Sequence, residues 1–206
     1  MDPTVKGVPV AILAAGASRR MGVPKLLQAY GQSSLLDHAI HTACSSQAET
    51  VVVVTGAYRE WVEPLVAQHH IESVGNDAWE SGQSSSVATA VRYCRTAGYR
   101  LLLIMLADQP HITSDALNQI IDAMKEGSAD AYRSAADGYR GSPCGFSESC
   151  FPFLEALTGD EGARQFFRIA SSHGFVVHDI EFDDATLFED IDTPEDLEAL
   201  RRQGEQ

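Results

Sequence analysis

The sequence predicts an α/β fold in which a largely parallel sheet is covered by helices on both faces. Short apolar segments alternate along the chain with longer segments of helical spacing, an order typical of parallel strands joined by helices. The apolar segments are nearly continuous, which indicates strands buried on both faces. A chain of 206 residues can bury a sizeable core. We therefore predict three layers and a single domain over residues 1–206.

Five apolar segments are predicted to be strands, and the most apolar of them ends at Asp108. These segments are residues 8–14, 49–56, 71–75, 99–108 and 174–180. Ligands of parallel α/β sheets bind beyond the carboxyl ends of the strands. We therefore expect the loops after Ala14, Gly75 and Ala107 to lie on one rim of the sheet.

Seven segments are predicted to be helices because their apolar residues recur three and four positions apart. These segments are residues 34–44, 58–69, 84–94, 113–126, 151–157, 161–172 and 193–202. Ser33 or Ser34 is suited to cap the first helix and Thr193 the last. Residues 139–146 are interpreted as a glycine-rich loop that carries Cys144 near the site.

The charge distribution excludes a nucleic-acid binder and favours a small anionic ligand. The formal net charge is −14, and residues 179–206 carry 11 acidic side chains against two arginines. Residues 1–30 have the opposite balance, with four basic side chains and one acidic. Phosphate backbones need a broad basic face, whereas a small anion needs only a local one.

Other features favour a cytoplasmic enzyme without structural metal or disulfides. The four cysteines form no CxxC pair, so we expect free thiols and no zinc site. No apolar segment approaches the roughly 18 residues of a membrane span, and the first residues lack the apolar core of a secretory signal. We expect no membrane partner, and a monomer or weak dimer.

The basic residues near the N-terminus lie in one short segment, "ILAAGASRRMGVPK", which follows the first predicted strand. The segment fits neither the GxGxxG dinucleotide pattern nor the GxxxxGK[ST] phosphate loop. It still offers a close backbone approach at Gly16, two guanidinium groups at Arg19 and Arg20, and the ammonium of Lys25. These groups indicate a phosphate site, and a surface loop with solvated arginines is the alternative.

Three carboxylates are candidate metal ligands. Asp108 follows a buried strand, and Mg²⁺ favours a few carboxylates together with substrate phosphates. Asp190 and Asp192 flank one residue, so in an extended segment both side chains share a face. Asp108 as a turn residue before proline, and Asp192 as a cap of the last helix, are the alternatives.

The segment from Gly82 to Ser86 opens a predicted helix, where glycine and hydroxyl groups suit contacts to a base, ribose or phosphate. Simple capping by Ser84 or Ser85 is the alternative. His111 lies near Asp108, but we interpret it as a loop histidine.

Five ordered blocks resemble the MobA-like nucleotidyltransferases. They span Ile12 to Leu200 and read "LAAGASRRMGVPKLL", "NDAWESGQSSSVATAV", "LADQPHIT", "RGSPCGFSESCFPFLEALTGDEGAR" and "FEDIDTPEDLEAL". The resemblance implies a Rossmann-like, GT-A-type fold with residues 12–110 mainly binding the nucleotide and residues 130–192 mainly binding the acceptor. Alanine at position 15 resembles the CTP-using branch, molybdenum cofactor cytidylyltransferase, because the guanylyltransferase branch typically has glycine there.

The resemblance also implies roles for individual residues. Lys25, Arg20 and Asp108 would be catalytic. Nucleotide binding would fall to Leu13, Ala14, Ala15, Gly16, Ser18, Arg19, Gly22, Gly82, Ser84 and Ser85. Asp108 and Asp192 would hold Mg²⁺, with Mn²⁺ as a substitute. The acceptor would contact Gly141, Ser142, Pro143 and Asp190.

The implied reaction moves a nucleoside monophosphate from an NTP, with CTP favoured, to the phosphate of a molybdopterin-type acceptor and releases pyrophosphate. A molybdenum hydroxylase would then receive the product. The alternatives are a sugar-1-phosphate nucleotidyltransferase, a metal-dependent glycosyltransferase using Asp190 and Asp192 as a DxD motif, and a non-catalytic cofactor carrier. The segment with Ser142 and Cys144 departs from the commoner RGNPV-like pattern of the family.

Overall fold

The computed structural model describes residues 6–18 and 21–204 and contains a mixed seven-stranded sheet. Its strand order is β5-β4-β1-β6-β8-β7-β9, and β2 and β3 form a separate two-stranded hairpin. The strands are β1 (Val10–Ala14), β2 (Ala29–Tyr30), β3 (Ser33–Ser34), β4 (Val51–Thr55), β5 (Glu72–Gly75), β6 (Leu101–Leu106), β7 (Ala131–Ala136), β8 (Tyr139–Ser147) and β9 (Val177–Glu181).

Helices cover both faces of this sheet, as predicted. They are α1 (Leu35–Cys44), α2 (Arg59–Gln68), α3 (Gln83–Thr96), α4 (Ser114–Glu126), α5 (Phe151–Glu155), α6 (Ala163–Ile169) and α7 (Pro194–Gly204). Alternate residues of β1 enter opposite cores. Val10 and Ile12 pack with α1, α2 and α4, whereas Ala11 and Leu13 pack with α3, α5 and α6. The predicted three-layer α/β fold is therefore confirmed.

One strand of the seven runs against the others, and the sequence prediction missed it. β8 pairs antiparallel with both β6 and β7, whereas the other neighbouring strands pair in parallel. Residues 139–146, which we predicted to form a loop, are therefore part of a strand. Asp137 and Gly138 make the turn between β7 and β8, and Gly138 has a φ of +72°.

Because β8 is a strand of the sheet, Cys144 is buried and does not line the site. Its Sγ donates a hydrogen bond to the carbonyl of Gly141 at 3.0 Å. Burial raises the pKa of the Cys144 thiol to about 12, so it stays protonated at neutral pH. All four cysteines are free thiols, as expected.

Side-chain caps mark the beginnings of α1, α4 and α7. Ser34 and Asp37 form a capping box at α1, and the hydroxyl of Thr193 accepts the backbone N–H of Asp196 at 3.2 Å. Helix α3 differs, because it begins after Gly82 and has no side-chain cap. Capping of α3 by Ser84 or Ser85 is therefore wrong.

The last helix brings the C-terminal segment back to the N-terminal loop. Leu197 and Leu200 of α7 pack with Ile191, Leu35 and Met21 in a small third core. Residues 189–192 are thereby held beside the loop that follows β1. No helix within the described part of the chain is long and apolar enough to cross a membrane.

Candidate active site

A cavity of about 460 Å³ opens beyond the carboxyl ends of β1 and β6. Nine of the predicted site residues line it, namely Leu13, Ala14, Ala15, Gly16, Ser18, Lys25, Gly82, Asp108 and Asp192. Other residues on its wall are Ala17, Met21, Leu26, Trp79, Glu80, Gln83, Ser86, Leu106 and Asp160. This position agrees with the rim expected for a parallel α/β sheet.

The remaining predicted residues lie elsewhere. Gly22, Ser84, Ser85, Gly141, Ser142, Pro143 and Asp190 are not part of the cavity wall. Arg19 and Arg20 lie outside the described residues, so their predicted roles stay predictions.

Backbone contacts fix the loop between β1 and Lys25. The Tyr58 hydroxyl donates to the carbonyl of Ala17 at 2.9 Å, and the backbone N–H of Lys25 donates to the Ser18 hydroxyl at 3.1 Å. A Cβ placed on Gly16 would meet no atom of the described residues within 4 Å. Among these residues, nothing covers the backbone at Gly16 on that side.

Ala15 lies against Gly56, the residue that follows β4. A Cβ placed on Gly56 would lie 2.7 Å from the Ala15 Cβ and 2.6 Å from the Ala15 carbonyl oxygen. The backbone N–H of Ala57 donates to that carbonyl at 3.1 Å. The methyl group of Ala15 thus packs against Gly56, and only glycine fits there.

Lys25 joins two carboxylates from distant parts of the chain. Its Nζ lies 2.7 Å from Asp108 Oδ2 and 3.5 Å from Asp192 Oδ1. The Lys25 side chain is only 11% exposed, because it points inward from the short 3₁₀ turn Lys25–Leu27. The backbone N–H of Ile191 donates to the carbonyl of Asp108 at 2.9 Å and fixes the two acidic segments side by side.

Asp190 lies within reach of the charges of Asp108 and Asp192, and it is protonated more readily than an ordinary carboxyl. Burial, together with the negative charges of Asp108 and Asp192, raises the pKa of Asp190 to about 6. Its Oδ1 is buried and has no hydrogen-bond partner among the described residues. The charges of Asp190 and Asp192 therefore act on each other, and the Thr193 hydroxyl caps α7.

The start of α3 contacts the loop before α6. The backbone N–H of Ser84 donates to the carbonyl of Gly159 at 3.0 Å, and Gly82 adopts a φ of +107° against that loop. The Ser85 hydroxyl donates to the carbonyl of Gly82 at 2.8 Å. Ser84 and Ser85 therefore fix the loop, and Ser86 is the serine on the cavity wall.

The predicted acceptor residues Gly141, Ser142 and Pro143 belong to the first half of β8, and the Ser142–Pro143 peptide is cis. Because β8 is antiparallel to β6, its beginning lies towards the strand end that leads to Asp108. The Tyr139 ring stacks on Phe188 with centroids 4.6 Å apart.

A family match decides the class of this site. The family described as the MobA-like NTP transferase domain matches residues 10–175. The chain belongs to the MobA-like NTP transferase family. It is thus a nucleotidyltransferase of that family, and the cavity at the carboxyl ends of β1 and β6 is its candidate nucleotide site.

Several relatives of this MobA-like transferase cover nearly its whole length. Purine catabolism protein PucB of Bacillus subtilis (strain 168) is 35% identical over 198 residues, which cover 92% of this chain and 94% of PucB. The crystal structure of Rv0371c from Mycobacterium tuberculosis H37Rv has a TM-score of 0.83 at 25% identity and covers 97% of this chain and 99% of that chain.

Two further structures share the fold at lower identity. The Rv0371c complex with manganese has a TM-score of 0.75 at 22% identity, covering 95% of this chain and 98% of that chain. The molybdopterin-guanine dinucleotide biosynthesis protein A from Archaeoglobus fulgidus has a TM-score of 0.70 at 18% identity, covering 96% and 98%.

Sequence reasoning missed several residues of the MobA-like site. Asp160 and Gln83 reach the cavity because two segments meet in space, and no local pattern marks that contact. Trp79 was visible as the aromatic position of the quoted "NDAWESGQSS" block.

Arg164 is exposed, and it alone among the arginine side chains that the structure describes has no hydrogen bond or ion pair.

The residues present fit a divalent metal only in part. No group of three or more His, Cys, Asp or Glu in residues 6–18 and 21–204 is arranged to hold a metal ion. Asp108 and Asp192 nevertheless both approach the ammonium of Lys25. Mg²⁺ is commonly held by one or two carboxylates, with substrate phosphates and water supplying the other ligands. This pair therefore fits a metal that arrives with a nucleotide.

Proposed function

We propose that this chain transfers CMP from CTP to the phosphate of a molybdopterin-type acceptor in the cytoplasm and releases pyrophosphate. The observation that carries this proposal is the ammonium of Lys25 between Asp108 and Asp192 in a cavity at the strand ends. A cation and two carboxylates beside an open backbone loop suit a triphosphate and its metal. Membership of the MobA-like family supports the same chemistry.

In the proposed reaction an oxygen of the acceptor phosphate forms a bond to the α-phosphorus of CTP, and the bond to the pyrophosphate oxygen breaks. The attacking phosphate is already ionised, so no residue has to remove a proton. Catalysis then depends on alignment and on neutralising charge. Lys25 would hold the phosphates and stabilise the departing pyrophosphate, and Arg20 would assist it.

Asp108 and Asp192 would hold Mg²⁺, for which Mn²⁺ can substitute. The bound ion would neutralise phosphate charge and orient the two reactants. The manganese complex of Rv0371c supports a divalent ion in a protein of this fold. Asp190 would stay outside the metal set, since it is not part of the cavity wall.

The acceptor would lie on the side of β8 and α6. Gly141, Ser142 and Pro143 form the edge of that side, and Arg164 offers an exposed guanidinium whose charge acts on Asp190. Residues 130–192 would thus bind mainly the acceptor and residues 12–110 mainly the nucleotide. The name of PucB places that relative in purine catabolism, and a molybdenum hydroxylase would be the recipient of the product.

The choice of CTP over GTP rests on Ala15. Because its methyl group packs against Gly56, Ala15 would act by setting the position of the loop backbone and not by touching the base. Backbone N–H and C=O groups at Leu13 to Gly16 would then read the base edge.

The deciding experiment is pyrophosphate release with Mg²⁺, molybdopterin-type acceptor and CTP, GTP, ATP or UTP in turn. Release with CTP alone supports the proposal. Release with GTP would keep the reaction and overturn the reading of Ala15. Release only when a sugar 1-phosphate replaces the acceptor would identify a sugar nucleotidyltransferase. Binding of CTP without release under any condition would identify a carrier.

Lys25→Ala should reduce kcat by about 10²-fold or more, while KM for CTP rises much less. The reason is that the ammonium would act on charge that develops as pyrophosphate departs. Steady-state kinetics at saturating acceptor measure both constants, and Lys125→Ala, an exposed lysine distant from the cavity, is the matched control. A raised KM with unchanged kcat would contradict a transition-state role.

A further inference from the structure

Lys25 takes the position between carboxylates that a metal ion would need. Its Nζ is 2.7 Å from Asp108 Oδ2 and 3.5 Å from Asp192 Oδ1. The base of the side chain is anchored, because the backbone N–H of Lys25 donates to Ser18 at 3.1 Å. The side chain of Asp108 is 24% exposed, and Asp108 lines the cavity.

The ammonium and a divalent ion cannot share these carboxylates. Mg²⁺ binds an oxygen at about 2.0–2.1 Å and needs several oxygen ligands around it. A metal on Asp108 Oδ2 would lie directly beside an ammonium on the same oxygen, with no anion between the two cations. Their repulsion in a partly buried site is poorly screened by water. One of the two must leave.

We propose that Lys25 is an internal substitute for the metal ion, which the triphosphate must draw away before the metal can bind. This inference rests on the proposed function, because it assigns the metal to Asp108 and Asp192. Without nucleotide, the ammonium of Lys25 pairs with both carboxylates. With nucleotide, Lys25 pairs with phosphate oxygens and the divalent ion balances both carboxylates. Metal and nucleotide therefore enter together.

The neighbouring geometry provides a place for the displaced ammonium. Gly16 and Ser18 line the same cavity, and the space above Gly16 is open. With its backbone anchored at Ser18, the lysine can turn its Nζ from the carboxylates towards phosphates over this loop. The exchange replaces one ion pair by another, so no charge is left buried without a partner.

Mn²⁺ binding without nucleotide tests the substitution directly. Electron paramagnetic resonance of free Mn²⁺ would be titrated against wild type, Lys25→Met and Lys125→Met. Lys25→Met should bind Mn²⁺ at least tenfold more tightly than wild type. Lys125→Met removes one exposed positive charge and should leave the affinity unchanged. Equal affinity of wild type and Lys25→Met would overturn the proposal.

A second measurement uses the wild-type protein, in case Lys25→Met fails to fold. The chain has only three lysines, Lys6, Lys25 and Lys125, so ¹⁵N-lysine labelling gives few Nζ signals. Millimolar Mg²⁺ alone should leave the Lys25 signal in place, whereas tripolyphosphate should shift it. A Lys25 signal that moves with Mg²⁺ alone, or ignores tripolyphosphate, would contradict the exchange.

Failure of this inference and failure of the proposed function give different results. If Mn²⁺ binds equally to both proteins while CTP still yields pyrophosphate, the function stands and the substitution is wrong. If Lys25→Met binds Mn²⁺ more tightly than wild type, but wild type turns over no nucleotide with any acceptor, the substitution stands and the transferase proposal fails.

Discussion

Three buried polar atoms close to the cavity have no hydrogen-bond partner among the described residues. They are Asp190 Oδ1, Gln109 Oε1 and Ser84 Oγ. Leaving such a group unpaired in the interior costs about 1–3 kcal/mol, and native proteins contain few of them. Gln109 follows Asp108 directly, and its Nε2 is already engaged with the carbonyl of Phe188 at 3.1 Å. These three unpaired polar atoms near the cavity lower the stability of the fold, so this part of the molecule is not optimised for stability alone.

Among single residues, Asp190 gives the clearest dependence of folding stability on pH. Its folded pKa of about 6 lies above the ordinary value of 3.8, so the folded protein holds a proton that the unfolded chain loses. Stability is therefore lost as pH rises from about 4 to 6. Asp190→Asn should raise the melting temperature at pH 8 by about 2–4 °C, the shift expected for about 1 kcal/mol in a chain of this length.

The comparison requires melting curves of wild type and Asp190→Asn at pH 4 and pH 8, with metal removed by a chelator. At pH 4 the two proteins should melt alike. Asp183→Asn, an exposed aspartate in the same acidic region, controls for the change in net charge. A gain of equal size at both pH values would show that burial of the charged form is not the cause.

The start of α3 illustrates how one element positions another. Gly82 has a φ of +107°, and a Cβ there would lie 2.5 Å from the backbone of Gly159. No side chain caps the helix, so this close backbone contact holds residues 158–162 against α3. Asp160 reaches the cavity as a result.

Gly82→Ala should therefore lower the free energy of unfolding by about 2–4 kcal/mol, because steric overlap adds to backbone strain. Urea denaturation measures the loss. Gly98 also has a positive φ, of +76°, but a Cβ there meets nothing within 4 Å. Gly98→Ala should thus cost only about 1 kcal/mol. Equal losses at the two positions would mean that the contact with Gly159 contributes little.

The sequence predicted the five apolar strands and the helices well. Continuous apolar residues mark β1, β4 and β6, which are buried inside the sheet, whereas β5 and β9 are edge strands and are mostly exposed or half-buried. The sequence did not predict β7 and β8, whose residues include serine, arginine, glycine and proline. These strands are stabilised by pairing with β6 and β9 more than by their own pattern. The dipeptide Asp137-Gly138 was the available signal, since it is typical of a hairpin turn.

For the whole molecule, the site could be predicted where a residue follows a strand. Asp108 follows a strand directly and Lys25 lies on the loop after one, so the general rule for parallel sheets places both on one rim. Asp192 needed the packing of α7 to reach Lys25, and Asp160 needed the contact between α3 and the loop before α6. Such contacts join residues far apart in sequence, and local patterns do not encode them.

The single-domain prediction can be tested by unfolding. Both tryptophans, Trp61 and Trp79, belong to the first half of the chain, whereas Phe146 is fully buried in the second half against Phe166 and Phe167. Phe146→Ala should cost about 3–5 kcal/mol. If the halves unfold together, the urea transition seen by tryptophan fluorescence should shift by the full amount.

Leu36→Ala, in α1 of the first half, provides the matched variant because Leu36 is also fully buried. Circular dichroism and tryptophan fluorescence should then give coincident transitions for both variants. A tryptophan transition that does not move in Phe146→Ala would show that the first half of the chain unfolds on its own.

The antiparallel strand β8 has a consequence for the evolution of this architecture. The candidate nucleotide cavity lies at the ends of β1 and β6 and at the loops that follow them, whereas β8 comes from a hairpin closed by Asp137 and Gly138. If the proposed function holds, this hairpin is one continuous segment that evolution can exchange while the nucleotide site stays unchanged. Chimaeras that exchange residues 131–147 between relatives would then change the acceptor specificity and keep the nucleotide specificity.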